Sequence, residues 1–176
     1  MAGCGDVDWS WTEWKVRQMI VHAVVGGVLG TLVMDAGNYV GYRAGFIQRV
    51  NLPLIGRLMS EWVRGRFTFV SPAAVPEIGR ASLVGLAFHY SIGIVLSLLV
   101  VVGMHVMTGT LPGSGTAVVY GILTSVFALF LVYPAMGLGL AGVKAGTIVL
   151  WTCIINHILY GAGLAGGLMA ARHLLH

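Results

Sequence analysis

Seven polar side chains that can exchange protons or form hydrogen bonds lie inside long apolar stretches of the chain. They are Asp35, Asn38, His89, Tyr90, Tyr133, Asn156 and His157. An ionised side chain costs about 2.5–3.5 kcal/mol at the centre of a bilayer, so each such group must find a partner. Counted along four separate stretches, all seven fall in the same half or near the centre. The pattern therefore predicts a shared polar layer, which is a candidate ligand or proton site.

Asp35 is the residue in this layer with the strongest need for a partner. Its carboxylate must pair with a cation or carry a proton, and His89 and His157 are the natural partners. A carboxyl–imidazole contact can be a structural hydrogen bond, or it can exchange a proton or bind a ligand. Both interpretations stay open, as does a third in which Asp35 simply extends to the membrane surface.

Two histidines on different stretches can also hold the metal of a haem or a chlorin through imidazole nitrogen. The estimated depths of His89 and His157 differ by about four residues, or about 6 Å, and no further ligands accompany them. We expect no metal site and no resident cofactor, and a tetrapyrrole on His89 or His157 is the alternative. His22 and His105 lie near the ends of stretches, where we expect them to be exposed.

Four apolar stretches must position these groups: roughly residues 16–42, 82–107, 116–134 and 147–171. A hydrocarbon core about 30 Å thick needs about 20 apolar residues per helix, and all four are long enough. Only 9% of residues are charged and 57% are hydrophobic, so the chain cannot cover a water-soluble surface. Continuous apolar runs without alternation exclude a barrel. The sequence predicts an all-α integral membrane four-helix bundle, with residues 1–176 as one domain.

A short amphipathic helix is predicted at about residues 53–64, between spans one and two. Leu54, Leu58 and Trp62 recur at helical spacing, while Arg57 and Arg64 occupy the other face. We expect this helix to lie in the membrane interface with Trp62 at the headgroup layer. It is either a strut that fixes two span ends or a site for lipid or a partner. Arg57 is placed to form an i, i+4 pair with Glu61.

The segment after span three contains a proline and several glycines. Pro134 breaks or kinks the helix, and Met136, Gly137 and Gly139 belong to the apolar chain that follows. The segment is either a re-entrant turn that lines a site or the end of the helix followed by a tight turn.

Glycines recur at four-residue spacing in the first span and are frequent in the fourth. Helices in a bilayer associate through close backbone approach at small residues. Gly26 and Gly30 in span one, with Gly163 and Gly167 in span four, therefore predict that these two spans touch closely.

Positive charge is concentrated between spans one and two. Six arginines lie there: Arg43, Arg49, Arg57, Arg64, Arg66 and Arg80. Lys144 falls on the same side, whereas the opposite side holds Lys15, Arg17 and Arg172. By the positive-inside rule, the connection 43–80 should be cytoplasmic and both termini should lie outside the cytoplasm.

Several motifs resemble a group of small bacterial inner-membrane proteins that is classed only as a domain of unknown function. They are Gly30-Thr-Leu-Val-Met-Asp35, Gly56-Arg57, Gly65-Arg66-Phe67, His89-Tyr-Ser-Ile-Gly93, Tyr133-Pro-Ala-Met-Gly-Leu-Gly139 and His157-Ile-Leu-Tyr-Gly161. The resemblance covers about residues 20–170 and implies a four-span helical protein of the inner membrane. It implies no activity, substrate or cofactor. Residues 1–14 differ from the group.

Three classes of function are compatible with these features. The first is an accessory subunit that packs against other membrane proteins, further copies of itself or lipids. The second is a small-solute or proton-linked transporter that works as an oligomer, with the polar layer as its site. The third is a membrane enzyme acting on a lipid-soluble substrate, which is not favoured because no nucleophile lies in a recognisable motif. We expect the lipid bilayer as a partner and no nucleic acid.

Overall fold

The computed structural model describes the backbone of residues 9–175 and the side chains from Glu13 onward. This part of the chain is helical and contains no strand. The helices are α1 (Trp9–Arg43), α2 (Leu52–Val63), α3 (Ala81–Thr108), α4 (Ser114–Ala135) and α5 (Thr147–Leu175). All but α2 are long and apolar enough to cross a membrane. The predicted all-α four-helix membrane bundle is confirmed.

Helices α1 and α5 approach so closely that their backbones are in contact. A Cβ atom added to Gly163 would lie 2.7 Å from the carbonyl oxygen of Leu29, and one added to Gly167 would lie 2.7 Å from the Cα atom of Gly26. Neither position can hold a larger side chain without separating the helices. This confirms the predicted close contact between the first and fourth spans.

Two tyrosines tie the remaining spans to this pair. The buried Tyr160 of α5 donates a hydrogen bond to the carbonyl oxygen of Gly93 on α3 at 2.6 Å. Tyr120 of α4 donates to the carbonyl oxygen of Leu96, also on α3, at 2.9 Å. Each phenol satisfies its own O–H inside the bundle, where water cannot do so. The α3 helix is thus fixed to both α4 and α5.

The short helix α2 begins at a proline-containing turn and packs against protein. The Asn51 side chain accepts a hydrogen bond from the Leu54 N–H at 3.0 Å, which caps the helix. Leu54, Leu58 and Met59 are buried against the start of α3 and the end of α4. The predicted bounds agree to within one residue, and the apolar face of α2 packs against the bundle.

The charged residues of α2 do not pair as predicted. Arg57 donates to the carbonyl oxygens of Val75 and Pro76 in the chain that leads into α3. Glu61 is fully buried and its carboxylate is paired with Arg64 at 2.7 Å and with Arg66 at 2.5 Å. The predicted Arg57–Glu61 pair is therefore wrong. Unpaired carbonyl oxygens in the connecting chain attract the guanidinium, which holds five donors in a fixed fork.

The end of α4 accommodates its proline by a local change of helix type. Residues Ala128–Val132 form a π-helical turn, in which the Tyr133 N–H donates to the carbonyl oxygen of Ala128. This wider turn relieves the clash that a proline ring makes with the preceding turn of an α-helix.

Beyond Ala135 the chain reverses in a tight turn. Gly137 has φ +78°, and a Cβ atom there would collide with the backbone of Ser71. The Phe69 N–H donates to the carbonyl oxygen of Ala135 at 2.9 Å, so the connection 43–80 covers the turn. The structure thus places Pro134 in the last helical turn, and Met136, Gly137 and Gly139 in the reversal that follows.

Candidate functional site

Asp35 of α1 and His89 of α3 form a carboxyl–imidazole hydrogen bond between two spans. The His89 Nε2 atom lies 3.0 Å from Oδ1 of Asp35, and the imidazole donates to the carboxylate. The Asp35 side chain remains 28% exposed and that of His89 is 13% exposed. The pair therefore lies at the edge of the bundle, in contact with both the interior and the surroundings.

Aromatic residues mark the depth of this pair. Tyr90 packs edge-on against the ring of His89, with the ring centroids 6.1 Å apart. Tyr39, one turn beyond Asp35, is exposed beneath the guanidinium of Arg43. Exposed tyrosines typically lie at the level of the lipid headgroups. Asp35 is eight residues before the end of α1, so it lies about 12 Å from that end of the helix.

Asn38 forms a second polar group, which holds the chain after α1 against the bundle. Its Nδ2 atom donates to the carbonyl oxygen of Gln48 at 3.0 Å and to Oδ1 of Asn156 at 3.2 Å. Its Oδ1 atom accepts from the Val50 N–H at 3.2 Å. The Gln48 N–H in turn donates to the Thr152 hydroxyl at 2.9 Å. Asn38 and Asn156 are both buried, so this group is an internal clamp.

The third polar group joins α4 and α5. The His157 Nδ1 atom lies 2.8 Å from the carbonyl oxygen of Cys153, one turn earlier on α5. A carbonyl oxygen only accepts, so Nδ1 carries the proton and donates, and Nε2 has no hydrogen-bond partner among the described residues. Tyr133 of α4 lies beside the Cys153 side chain. His157 also lies near His89 of α3.

The predicted polar layer is thus divided into three groups. Asp35, His89 and Tyr90 form one, Asn38 and Asn156 form the clamp, and Tyr133 and His157 flank Cys153. The structure brings Asp35 to His89, whereas the direct hydrogen bond of His157 goes to its own helix. The interface residues Arg57, Trp62 and Arg64 make their hydrogen bonds to residues outside these three groups. Trp62 donates through Nε1 to the carbonyl oxygen of Phe67 at 3.0 Å.

A tetrapyrrole ligand would need a free imidazole nitrogen. His157 offers its Nε2 atom, whereas the Nε2 atom of His89 is already engaged with Asp35. Within the part of the chain that the structure describes, no three His, Cys, Asp or Glu side chains form a group able to hold a metal ion.

The sequence did not reveal two features of the polar groups. The predicted exposure of His22 is wrong, because this residue lies thirteen residues inside α1 and is only 2% exposed. The role of Asn38 in holding residues 48–50 was also missed, because a clamp between a helix and its following chain has no spacing signature. The one related feature in the sequence is the amide side chain of Asn38 inside the first span, ten residues before Gln48.

The four apolar helices and their internal polar groups define an integral membrane protein of the helical-bundle class. The chain belongs to the family described as "Protein of unknown function (DUF2938)", whose model matches residues 23–170. No curated protein and no solved structure shows a significant match.

Proposed function

We propose that the protein is an accessory subunit of a bacterial inner membrane that packs against a larger membrane protein. The observation that carries this proposal is that polar side chains of different spans bond to partners within the chain. Asn38 bonds to Asn156 and to its own connection, Asp35 to His89, and Tyr160 to Gly93. Polar groups used in this way fix the shape of the bundle and leave its outer faces for contact with partners.

The outer face of α5 is the surface that best suits a neighbouring helix. Ala162 and Gly166 are exposed one turn apart, and nothing lies within 4 Å of a Cβ atom built on Gly166. Exposed Ile158 and Met169 flank them. Small residues between larger apolar ones let two helices approach closely in lipid, where van der Waals packing drives association.

Replacing Gly166 with leucine should reduce recovery of the partner while the bundle stays folded. The leucine has open space, so its effect falls on the neighbour and not on α5. The measurement is affinity purification from native membranes in a mild detergent, with the partner quantified by mass spectrometry. Losing one close helix contact should lower recovery about tenfold, equivalent to about 1.4 kcal/mol.

The matched control is Gly103→Leu on α3, where a Cβ atom also meets nothing within 4 Å. It should leave recovery unchanged. A wild-type chain that purifies without any other membrane protein would contradict the accessory role itself.

The distribution of charge supports an orientation for this subunit. The connection 43–80 carries six arginines and would face the cytoplasm, and both termini would lie on the opposite side. In this orientation α2 and the Asp35–His89 pair belong to the cytoplasmic half of the bundle.

A second candidate function, proton-linked transport by an oligomer, is favoured by the partial exposure of the Asp35–His89 pair. A carboxylate and an imidazole at 3.0 Å can pass a proton between them, and Asp35 is 28% exposed. His157 of α5 lies near His89, and its Nε2 atom forms no hydrogen bond with the described residues. The three side chains come from three different spans, as the site of a transporter typically does.

The change Asp35→Asn should abolish proton uptake by liposomes containing the protein if this second function holds. Asparagine preserves the shape of the side chain but cannot carry the proton. Uptake is followed with an enclosed pH-sensitive dye after a pH jump. Glu77→Gln is the control, because the Glu77 side chain is 92% exposed in the connection 43–80. Uptake that persists in Asp35→Asn, or is absent in the wild type, excludes this function and leaves the accessory role standing.

A further inference from the structure

A cluster of one carboxylate and two guanidiniums lies at the end of α2. Glu61 is fully buried, whereas the side chains of Arg64 and Arg66 are 57% and 58% exposed. The Arg64 Nη1 atom donates to Oε1 of Glu61 at 2.7 Å. The Arg66 Nη2 atom lies beside Oε2 of Glu61, but without the alignment of a hydrogen bond. Because a guanidinium has five N–H donors, both arginines keep most of theirs for a further acceptor.

The backbone holds these two arginines in a fixed turn. The Gly65 N–H donates to the carbonyl oxygen of Trp62, and the Arg66 N–H donates to that of Glu61, both at 3.0 Å. Gly65 has φ +81°. Two such bonds around a left-handed glycine form a Schellman motif, which ends α2. The cluster is therefore positioned before any ligand arrives, and binding need not order the turn.

The contacts of the turn place the cluster at the membrane boundary. The Phe69 N–H donates to the carbonyl oxygen of Ala135, in the last turn of the third span. The Trp62 indole donates to the carbonyl oxygen of Phe67, and tryptophan is typical of the headgroup level. Val63 and Phe67, next to the arginines in the chain, are 79% and 59% exposed. An anion bound here adjoins apolar side chains that suit a lipid.

The charge of the cluster indicates the kind of lipid. Two guanidiniums and one carboxylate leave one net positive charge. The whole connection 43–80 carries six arginines but only two acids, Glu61 and Glu77. Planar guanidiniums bind phosphate oxygens through paired N–H···O bonds. A zwitterionic lipid would also bring an ammonium group, which the arginines repel and which cannot reach the buried Glu61 carboxylate.

We propose that Arg64 and Arg66 bind the phosphate of an anionic phospholipid such as phosphatidylglycerol. The two guanidiniums donate to the unesterified phosphate oxygens, and Glu61 holds the guanidiniums from the interior side. The headgroup of phosphatidylglycerol carries a glycerol in place of an ammonium group, so the arginines repel no part of it. The site is built from one chain and does not depend on the accessory role proposed above.

The test uses nanodiscs that contain equal amounts of phosphatidylglycerol and phosphatidylethanolamine. Lipids retained by the released protein are counted by native mass spectrometry. We expect about tenfold preference for phosphatidylglycerol, as for one hydrogen bond to a charged group. The triple change Glu61→Gln, Arg64→Gln and Arg66→Gln should abolish this preference, and it leaves no unpaired buried charge to destabilise the fold.

A single change keeps the test valid if the triple variant does not fold. Arg66→Gln leaves the hydrogen bond from Arg64 to Glu61 in place. It should lower the preference for phosphatidylglycerol about threefold, which is half of the full effect in free energy.

One control and one competitor complete the design. Arg49→Gln removes one positive charge from an exposed residue of the same connection, the same net change as the triple variant, and should leave the preference intact. Inorganic phosphate added to the nanodiscs should not displace phosphatidylglycerol; displacement would identify the free anion as the ligand and overturn the assignment to a lipid. Equal retention of both lipids by the wild type, or an equal loss of preference in Arg49→Gln and the triple variant, also overturns the proposal.

Discussion

Replacing Gly85 with alanine should detach α2 from α3 and lower the free energy of unfolding by about 3 kcal/mol. A Cβ atom at Gly85 would collide with the carbonyl oxygen of Leu52, and one at Gly56 would collide with that of Ala81. These are backbone atoms, so no change of rotamer can relieve the collision. The measurement is the unfolding midpoint in mild detergent.

The same helix provides a control for this prediction. Gly103 is also inside α3, but nothing lies within 4 Å of its Cβ position. Gly103→Ala should be neutral or stabilise the protein by up to about 1 kcal/mol, because alanine favours the helix more than glycine does. Equal effects of Gly85→Ala and Gly103→Ala would show that α2 does not dock on α3 as described.

The loss of α2 docking would extend beyond the helix itself. Leu58 and Met59 pack against Met136 in the reversal after α4, and Arg57 binds the chain that leads into α3. His89 lies one turn after Gly85 on the same helix. The contact at Gly85 therefore supports the part of α3 that carries the partner of Asp35.

The second large effect is expected for Asn38→Leu, at about 3 kcal/mol of lost unfolding free energy. The change removes three hydrogen bonds, each worth about 1 kcal/mol. It also leaves the Val50 N–H and the Gln48 carbonyl without their side-chain partner. Loss of the clamp should be visible as faster hydrogen exchange at the Val50 amide, measured together with the unfolding midpoint.

Asn51→Leu is the matched control, because Asn51 is exposed and forms one capping bond with the Leu54 N–H. It should cost about 1 kcal/mol, the usual effect of losing a helix cap. It should not accelerate exchange at Val50. If Asn38→Leu costs no more than Asn51→Leu, residues 48–50 are not held by the clamp.

The candidate site shows how far sequence reasoning can reach. Asp35 and His89 were expected to be partners because an ionisable group in a span needs one, and the structure joins them. His157 was an equally good partner for Asp35 by that argument. Its Nδ1 atom bonds instead to the carbonyl of Cys153, one turn earlier on its own helix, and the rotation of α5 sets what the rest of the ring can reach. The rotation of a helix about its axis is not encoded in its hydropathy.

The sequence alone determined the four spans, the short helix between the first two, and the close approach of α1 and α5. These follow from local requirements: a bilayer demands about 20 apolar residues per helix, and close packing in lipid demands small residues. The tertiary structure alone decided the partners of the polar side chains. Asn38 meets Asn156 across 118 positions, and Arg57 binds backbone carbonyls and not Glu61. Such contacts depend on the relative depth and rotation of whole helices, which many glycine and side-chain contacts set together.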